Sequence, residues 1–568
     1  MDSEDKQSNP TSSKISFTSA PSSIASKSET NSLNSSPSQK QAQSRLLKIL
    51  GAMAFGTTVS RILGLVRLFA LGSALGIGGA ADAYNLANTT PNIIHDLVIG
   101  GVLAATFVPL FTRRLTTMSK ESAWEGISAV VTVSSVVLVV GTLLFELFVP
   151  LLIDAYSSGA GSNMSVPTHR LAVDLLRLFV PQLAFYGFIS IATALLNSVG
   201  KFGIVTAAPI FNNIVTIFIL IELSLIVHSP TPQDLLNNYH LIFLLGIGTS
   251  AGVAAQFLAL VPSLLRANLP LKWNLNFGHE AVRAIIKLSS WTFGFVVANQ
   301  LALFVILALA ARSHIGTLSA YTYAYTFFQL PYWLVSVSIS SALTPELSAL
   351  AANSDMTGFA KRFSLGLRSI NAIIIPASIG YLVLAAPIVG TVLFHGSASL
   401  EGVQNAASTL SLMSLGLPGF CIFLLVNRAF FALHDTRTVF LLYAFENFVN
   451  VVAAFVLISP MGARGIGLSL TIAYSMGAVA GLIVLRMKVG RLGGRALFAQ
   501  GIKVLGLSLV MGLGAAGAST VLPTTTAFGD AIDAFLGVVV GVTLYLVLAA
   551  LIAPSSKSSK SKHKHVLR

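Results

Sequence analysis

Long apolar runs, separated by short polar links rich in glycine or proline, fill the chain from Leu46 almost to its end. Each run is about 20 to 28 residues long, the length that carries an α-helix across roughly 30 Å of hydrocarbon. Fourteen such runs are counted, at about 48–74, 83–110, 124–153, 171–196, 203–228, 240–265, 281–311, 317–350, 366–393, 405–433, 437–459, 464–486, 500–522 and 529–553. The pattern therefore predicts an all-α polytopic membrane protein with about 14 transmembrane helices. Residues 1–45 differ. They are dominated by Ser, Asn, Thr, Lys and Gln and bury too little apolar surface to offset chain entropy, which predicts a disordered tail.

The basic residues test the count independently, because Lys and Arg are retained on the cytoplasmic side of short loops. Alternate links read "FTRRLTTMSK", "NSVGKFG", "AKRFSLGLR", "LHDTRT" and "RMKVGRLGGR", and the last segment reads "SSKSSKSKHKH". The intervening links read "LGIGGA", "DAYSSGAGSNMS", "SPTPQDLLNN", "FHGSASLEG" and "VLPTTTAFGDA". This asymmetry places both termini in the cytoplasm and requires an even number of helices. It also accounts for most of the +14 formal charge, which would otherwise suggest nucleic acid; no recognition motif for nucleic acid is present.

The sequence also repeats at an offset of about 235 to 240. Phe179–Val215 and Gly416–Val449 share an early proline, an aromatic-rich run, a short basic link and then an apolar run bearing asparagine. "AYNLANTTPN" around Pro91 is matched by "YTYAYTFFQLP" ending at Pro331, and each is followed by a second proline, Pro109 and Pro345. Two six-helix lobes are expected, plus two extra C-terminal helices. The segments become 1–45, a cytoplasmic tail; 46–266, an N-lobe; 267–487, a C-lobe; 488–553, helices thirteen and fourteen; and 554–568, a basic cytoplasmic tail. Repeated halves are the signature of transporters, whose site lies at the interface between them.

Composition narrows the chemistry. Of 568 residues, 54% are hydrophobic and 10% charged, and the single cysteine, Cys421, lies inside an apolar run. No disulfide framework is possible, no Cys/His metal spacing exists, and neither cofactor, metal nor catalytic residues are expected. Against this background the polar residues of the first two runs need a reason. On a helical wheel Thr57, Ser60, Arg61, Gly64 and Arg67 share an arc of roughly 120°. Asn85, Asn88, Thr89, Asn92, His95 and Asp96 share a similar arc on the second helix. Charge at bilayer depth is costly unless it faces a cavity or a partner, so the two wet faces should line one hydrated space. Gly64 would allow close approach of backbone or ligand, and Pro91 should break or kink its helix.

Arg283, Lys287, Ser290 and Gly294 form a further stripe at spacings of four, three and four. With Arg61 and Arg67, the Arg283 and Lys287 cations suit a phosphate or pyrophosphate, since guanidinium forks match phosphate oxygens and lysine adds a point charge. Snorkelling to the interface is an equal alternative for Arg283 and Lys287. Asp82, at a helix mouth, suits either a capping or ion-pair role or a gate, with Asp96 as a second candidate for gating or pairing. The aromatic stripe Tyr321, Tyr325, Phe328 and Tyr332 reads as core packing. Arg177 with Asp174, and Glu446, are expected to pair within the bundle.

The motifs "SRILGLVR", "ADAYNLANTTPN", "GGVLAATFVPLF", "LNSVGKF" with "APIFNN", "IPASIGYLVLAAPIVGTVLFHG" and "FFALHDTRT" occur in the order found in the MurJ (MviN) lipid II flippase family, which the chain resembles. That family belongs to the multidrug/oligosaccharidyl-lipid/polysaccharide exporter superfamily. The resemblance extends from about residue 46 to 553. It implies two six-helix lobes in a V, with the last two helices forming a hydrophobic groove for a polyprenyl tail. It also implies that Arg61 and Arg67 match the family's required arginines and Asp82 its aspartate. The chain departs from the pattern at His95 and Asp96, where the family often has two arginines, at Gly100 in place of a glutamate, and at Thr326 in place of a cavity arginine.

What the resemblance implies is a lipid II flippase of the bacterial cell membrane, a transporter and not an enzyme. It would serve peptidoglycan synthesis and cell shape, moving an undecaprenyl-pyrophosphate-linked precursor by alternating access. Its partners would be lipid II, membrane lipids and proteins of cell-wall synthesis. Two alternatives are weighed beside it: an exporter of another polyprenyl-linked glycan or a drug, and a membrane-embedded glycosyltransferase. A drug exporter should show an acidic cavity, and a transferase a carboxylate metal site.

Overall fold

The computed structural model describes residues 37–95, 103–158, 163–520 and 526–552, and within them every regular element is helical. Helix α1 spans Pro37–Leu75, α2 Gly79–His95, α3 Leu103–Thr117 and α4 Lys120–Ser157. The next are α5 Val166–Phe179, α6 Pro181–Ser198, α7 Phe202–Ala207, α8 Pro209–Ile226, α9 Pro232–Leu236 and α10 Tyr239–Leu265. Then come α11 Glu280–Arg312 and α12 Thr317–Pro331, a π-helical turn at Tyr332–Ser336, α13 Val337–Ala352 and α14 Met356–Leu393. Helices α15 Leu400–Ser414, α16 Leu417–Ala432, α17 Thr436–Met461, α18 Ala463–Val489, α19 Gly494–Ala518 and α20 Ala527–Ile552 complete the chain.

The disorder expected up to residue 45 is corrected at 37–45, which form the first turns of α1. Pro37 suits the first helical turn, and Gln, Lys, Ala and Arg, all good helix formers, follow it. The chain divides into two compact units, Met1–Ala54 and Phe55–Arg568, and the sites below lie wholly in the second.

Each expected run coincides with a helix or with consecutive helices, but the count of fourteen is not reached. Eleven helical stretches of the described residues are long and apolar enough to cross a membrane, and the pair α15–α16, bent by 51°, makes a twelfth. In α11 the described apolar stretch is Val296–Arg312, and the run containing α2 and α3 includes residues 96–102, which lie outside the described residues.

Local chemistry sets the helix ends. Side chains of Ser119, Ser165, Asp355, Ser399 and Asp435 accept from backbone N–H groups in the first turns of α4, α5, α14, α15 and α17. Each such cap stabilises its helix by about 1 kcal/mol. Chain direction then repeats: α4 and α14 are both 38 residues long and start 236 positions apart, Lys120 and Met356. α6 and α16 both carry a proline in their first turn, Pro181 and Pro418. Helices α2 and α4–α10 pack among themselves, as do α12–α18; α19 and α20 pack on α14 and on each other. α11 packs against both α4 and α17.

The aromatic stripe is core, as expected. Tyr321, Tyr325 and Phe328 stack along α12, and Phe328 and Tyr332 meet Phe420, whose ring lies 4.7 Å from that of Tyr474. Cys421 is buried. Arg177 pairs within the bundle as expected, with Glu146 of α4 at 3.7 Å, whereas one pairing expectation is corrected: Glu446 is buried with no ion pair among the described residues.

Candidate functional site

Arg61 stands beside a hollow. A cavity of about 300 Å³ is lined by Ser60, Arg61, Gly64 and Leu65 of α1 and by Pro209 and Asn213 of α8. Its other wall is Thr326, Gln329 and Leu330 of α12 together with Trp333 of the π turn. The walls thus come from both groups of helices. The Arg61 guanidinium lies 3.9 Å from the centre of the Trp333 ring, a cation–π contact, and forms no ion pair among the described residues. Trp333 is itself oriented, since its indole N–H donates to Gln329 Oε1 at 3.0 Å. On the other wall Asn213 Nδ2 donates to the Ser60 carbonyl at 3.0 Å, tying α8 to α1.

Among the described residues no carboxylate lines this cavity, so Arg61 sets its charge. A Cβ placed on Gly64 would meet no atom within 4 Å, so the glycine leaves open the space beside the guanidinium. Such a site can hold an anion against the free edge of the guanidinium while Trp333 covers its face.

The remaining expected residues divide. Arg67 is partly buried, six residues or about 9 Å further along α1. Like Arg61 it has no ion pair among the described residues, but it does not line the cavity. Asn92 Nδ2 bonds back to the Asn88 carbonyl at 3.0 Å. Pro91 does not end α2, which continues to His95 with Pro91 buried inside it, so the expected break is absent there. Thr90 and Asn92 both direct side-chain bonds to carbonyls one turn back, those of Leu86 and Asn88.

His95 faces α6 and not the cavity: its Nε2 lies 3.1 Å from Ser190 Oγ, and its ring 5.5 Å from that of Tyr186. Ser190 already donates to the Tyr186 carbonyl at 3.0 Å, so its oxygen is left to accept from an Nε2–H. Arg283 is exposed in the opening turns of α11 and does not line the Arg61 cavity. Asp96 and the Lys287 side chain lie outside the described residues.

Asp82 has a specific role that is not an ion pair. Its buried carboxylate accepts from the backbone N–H of Gly316 at 2.7 Å and of Ser319 at 2.8 Å, and also from the Ser319 hydroxyl. α12 starts after Gly316, at φ +84°, with no side-chain cap of its own. Asp82 of α2 therefore caps α12 across a separation of 234 residues, supplying negative charge at the positive end of that helix. Of the roles weighed for Asp82, capping is the one the geometry shows: two N–H groups and a hydroxyl meet the carboxylate, and no described cation approaches it.

Trp333, Gln329, Asn213 and Ser319 were not singled out by sequence. On the wall facing α1, Thr326 was singled out, as the position of a missing arginine, and it does line the cavity. A second cavity, about 240 Å³ and apolar, lies between α14, α19 and α20, where Gly380, Tyr381 and Leu384 face Met511, Ala515, Gly537 and Gly541.

The family profile described as "Lipid II flippase MurJ" matches residues 71–539. A probable lipid II flippase MurJ of Haemophilus influenzae is 28% identical over 393 residues, covering 67% of this chain and 75% of that one. The probable lipid II flippase MurJ of Vibrio cholerae is 26% identical over 402 residues, 69% of this chain and 74% of its own. Among solved structures, a lipid II flippase MurJ in an inward closed conformation superposes with a TM-score of 0.71 at 24% identity, covering 88% of this chain and 98% of that one. An inward-facing multidrug-resistance transporter of the MATE family gives 0.63 at 16% identity, covering 76% and 96%. These likenesses establish a shared fold.

Proposed function

The chain belongs to the lipid II flippase MurJ family, and from that premise we propose that it moves lipid II from the inner to the outer leaflet of the bacterial cell membrane by alternating access. It is a multi-pass transporter and not an enzyme. The observation that carries the reading is Arg61: a cation without a counter-charge among the described residues, in a hollow between helices from both groups. A pyrophosphate supplies the missing charge. The same feature argues against a cationic drug as cargo, because a drug of that kind would meet repulsion there.

In this reading residues 46–266 and 267–487 are the lobes that rock, and Arg61 meets the pyrophosphate with Arg67 next along its helix. Arg283 draws the headgroup in from the opening of α11, while His95 positions α2 against Ser190 of α6. The polyprenyl tail occupies the apolar groove of α14, α19 and α20. Both termini face the cytoplasm, and proteins that polymerise lipid II are its functional partners. The test counts externally accessible lipid II in cells depleted of the protein and complemented with wild type, Arg61→Ala or Arg437→Ala. Wild type and Arg437→Ala restore exposure and Arg61→Ala does not; equal exposure with all three rejects the assignment.

A further inference from the structure

A cavity of about 720 Å³, sharing no residue with the hollow beside Arg61, lies where the start of α14 meets the link between α18 and α19. We propose that it binds the phosphate of an anionic phospholipid, whose acyl chains run down the outside of α14 and α19.

The wall contributed by α14 includes the stripe Lys361, Ser364, Leu365 and Arg368, at helical spacings of three, one and three, with Arg362 beside it. Arg491 of the link adds a fourth cation. Neither Lys361 nor Arg491 forms an ion pair among the described residues, and both are exposed. Two acidic groups lie close by among the described residues and both are engaged: Asp355 accepts from the Gly358 N–H at 2.8 Å, and Glu346 is held by Arg362, whose Nη2 donates to Oε1 at 2.7 Å. Arg368 has its Nε buried without a hydrogen-bond acceptor, a donor left without a partner in the wall itself.

The link is held in place for this purpose. Ser364 Oγ donates to the Leu492 carbonyl at 2.7 Å, fixing the turn against α14. Gly490 and Gly493 take φ of +85° and +68°, so the chain reverses tightly into α19. Gly493, the last lining residue, directly precedes α19, whose first turn has no side-chain cap. Cations and an unpartnered guanidinium N–H converge on one cavity.

Depth identifies the ligand as a lipid. α14 is 38 residues, roughly 57 Å, nearly twice the hydrocarbon thickness. Its uncharged stretch runs from Ser369 to Leu393, so Arg368 stands at the level of lipid phosphates and Lys361 just beyond it. Flanking the cavity, Leu365, Phe498 and Ile502 are 50%, 71% and 55% exposed and offer acyl chains an apolar track. A soluble anion would need the basic side chains but not this track.

The test uses the full-length protein and native mass spectrometry, counting retained lipid after exposure to dioleoyl phosphatidylglycerol, dioleoyl phosphatidylcholine or inorganic phosphate. The double variant Lys361→Ala/Arg491→Ala is compared with Arg266→Ala/Arg437→Ala, which removes the same charge elsewhere. Each cation near an anionic headgroup is worth about fivefold, so the first variant should weaken retention of one phosphatidylglycerol about 25-fold while the second leaves it unchanged. Equal loss in both variants overturns the site. Retention of phosphatidylcholine as strong as that of phosphatidylglycerol overturns the charge argument, and displacement by inorganic phosphate overturns the lipid assignment. Since both altered side chains are exposed, an unchanged Tm is expected; a drop in Tm matching the loss of lipid would assign the effect to folding and overturn the proposal.

Discussion

Replacing Asp82 with alanine removes the side-chain acceptor at the start of α12 and leaves two backbone N–H groups and one hydroxyl facing a buried gap. An unsatisfied buried donor costs about 1–3 kcal/mol, so three of them set an upper range of about 3–9 kcal/mol. Water admitted to the gap returns much of this, and about 3 kcal/mol is a reasonable net value. Because the acceptor sits on α2 and the donors on α12, the loss falls on the arrangement in which these two helix starts touch. At about 3 kcal/mol, opening of that contact rises about 150-fold relative to wild type. Hydrogen exchange followed by mass spectrometry reads this directly in peptides containing Gly316 and Ser319. Asp82→Ala should accelerate their exchange by about two orders of magnitude, and Asp82→Asn, which retains one acceptor oxygen, by less. Unchanged exchange in Asp82→Ala would refute the capping role, as would acceleration spread evenly over the whole protein.

Three further outcomes test the cavities. Trp333→Ala removes the ring over Arg61, a contact worth about 1 kcal/mol, so lipid II affinity in nanodiscs should fall about fivefold, with Trp333→Phe intermediate; equal affinities would show that the ring does not hold the guanidinium. Gly64→Ala should support growth in a complementation assay because its Cβ meets open space, whereas Gly64→Leu should fill the hollow and fail; growth with both would mean the space is not used. Gly380→Phe projects a ring into the apolar groove, where nothing lies within 4 Å of a Cβ, and should block lipid exposure while Tm is retained; full exposure would remove the groove from the pathway.

Much of the architecture was legible because hydrophobic length is a one-dimensional property. A helix as long as α4 or α14 announces itself in sequence, and the offset of 236 between their starts lies within the repeat read from prolines and asparagines. Arg61 was legible for a related reason: a charge in an apolar helix has few tolerable positions. The partners across space were not legible. Trp333 follows a proline on another helix and belongs to an aromatic-rich stretch whose other members are core, so nothing local distinguishes it. Ser319 is an ordinary serine until α2 brings Asp82 to it. His95 shows the converse, since its position on a polar arc suggested the cavity, yet the rotation of α2 turns it toward Ser190.

The shared wall of α14 carries a mechanical consequence. This helix packs into the α12–α18 group along part of its surface, while another part forms one side of the apolar groove with α19 and α20. Anything threaded there is moored to that body and travels with it as a passenger, so a long isoprenoid need never be released between strokes. Work against the bilayer is then confined to the hydrophilic head, and the chemical length of the hydrocarbon tether can vary without altering the stroke.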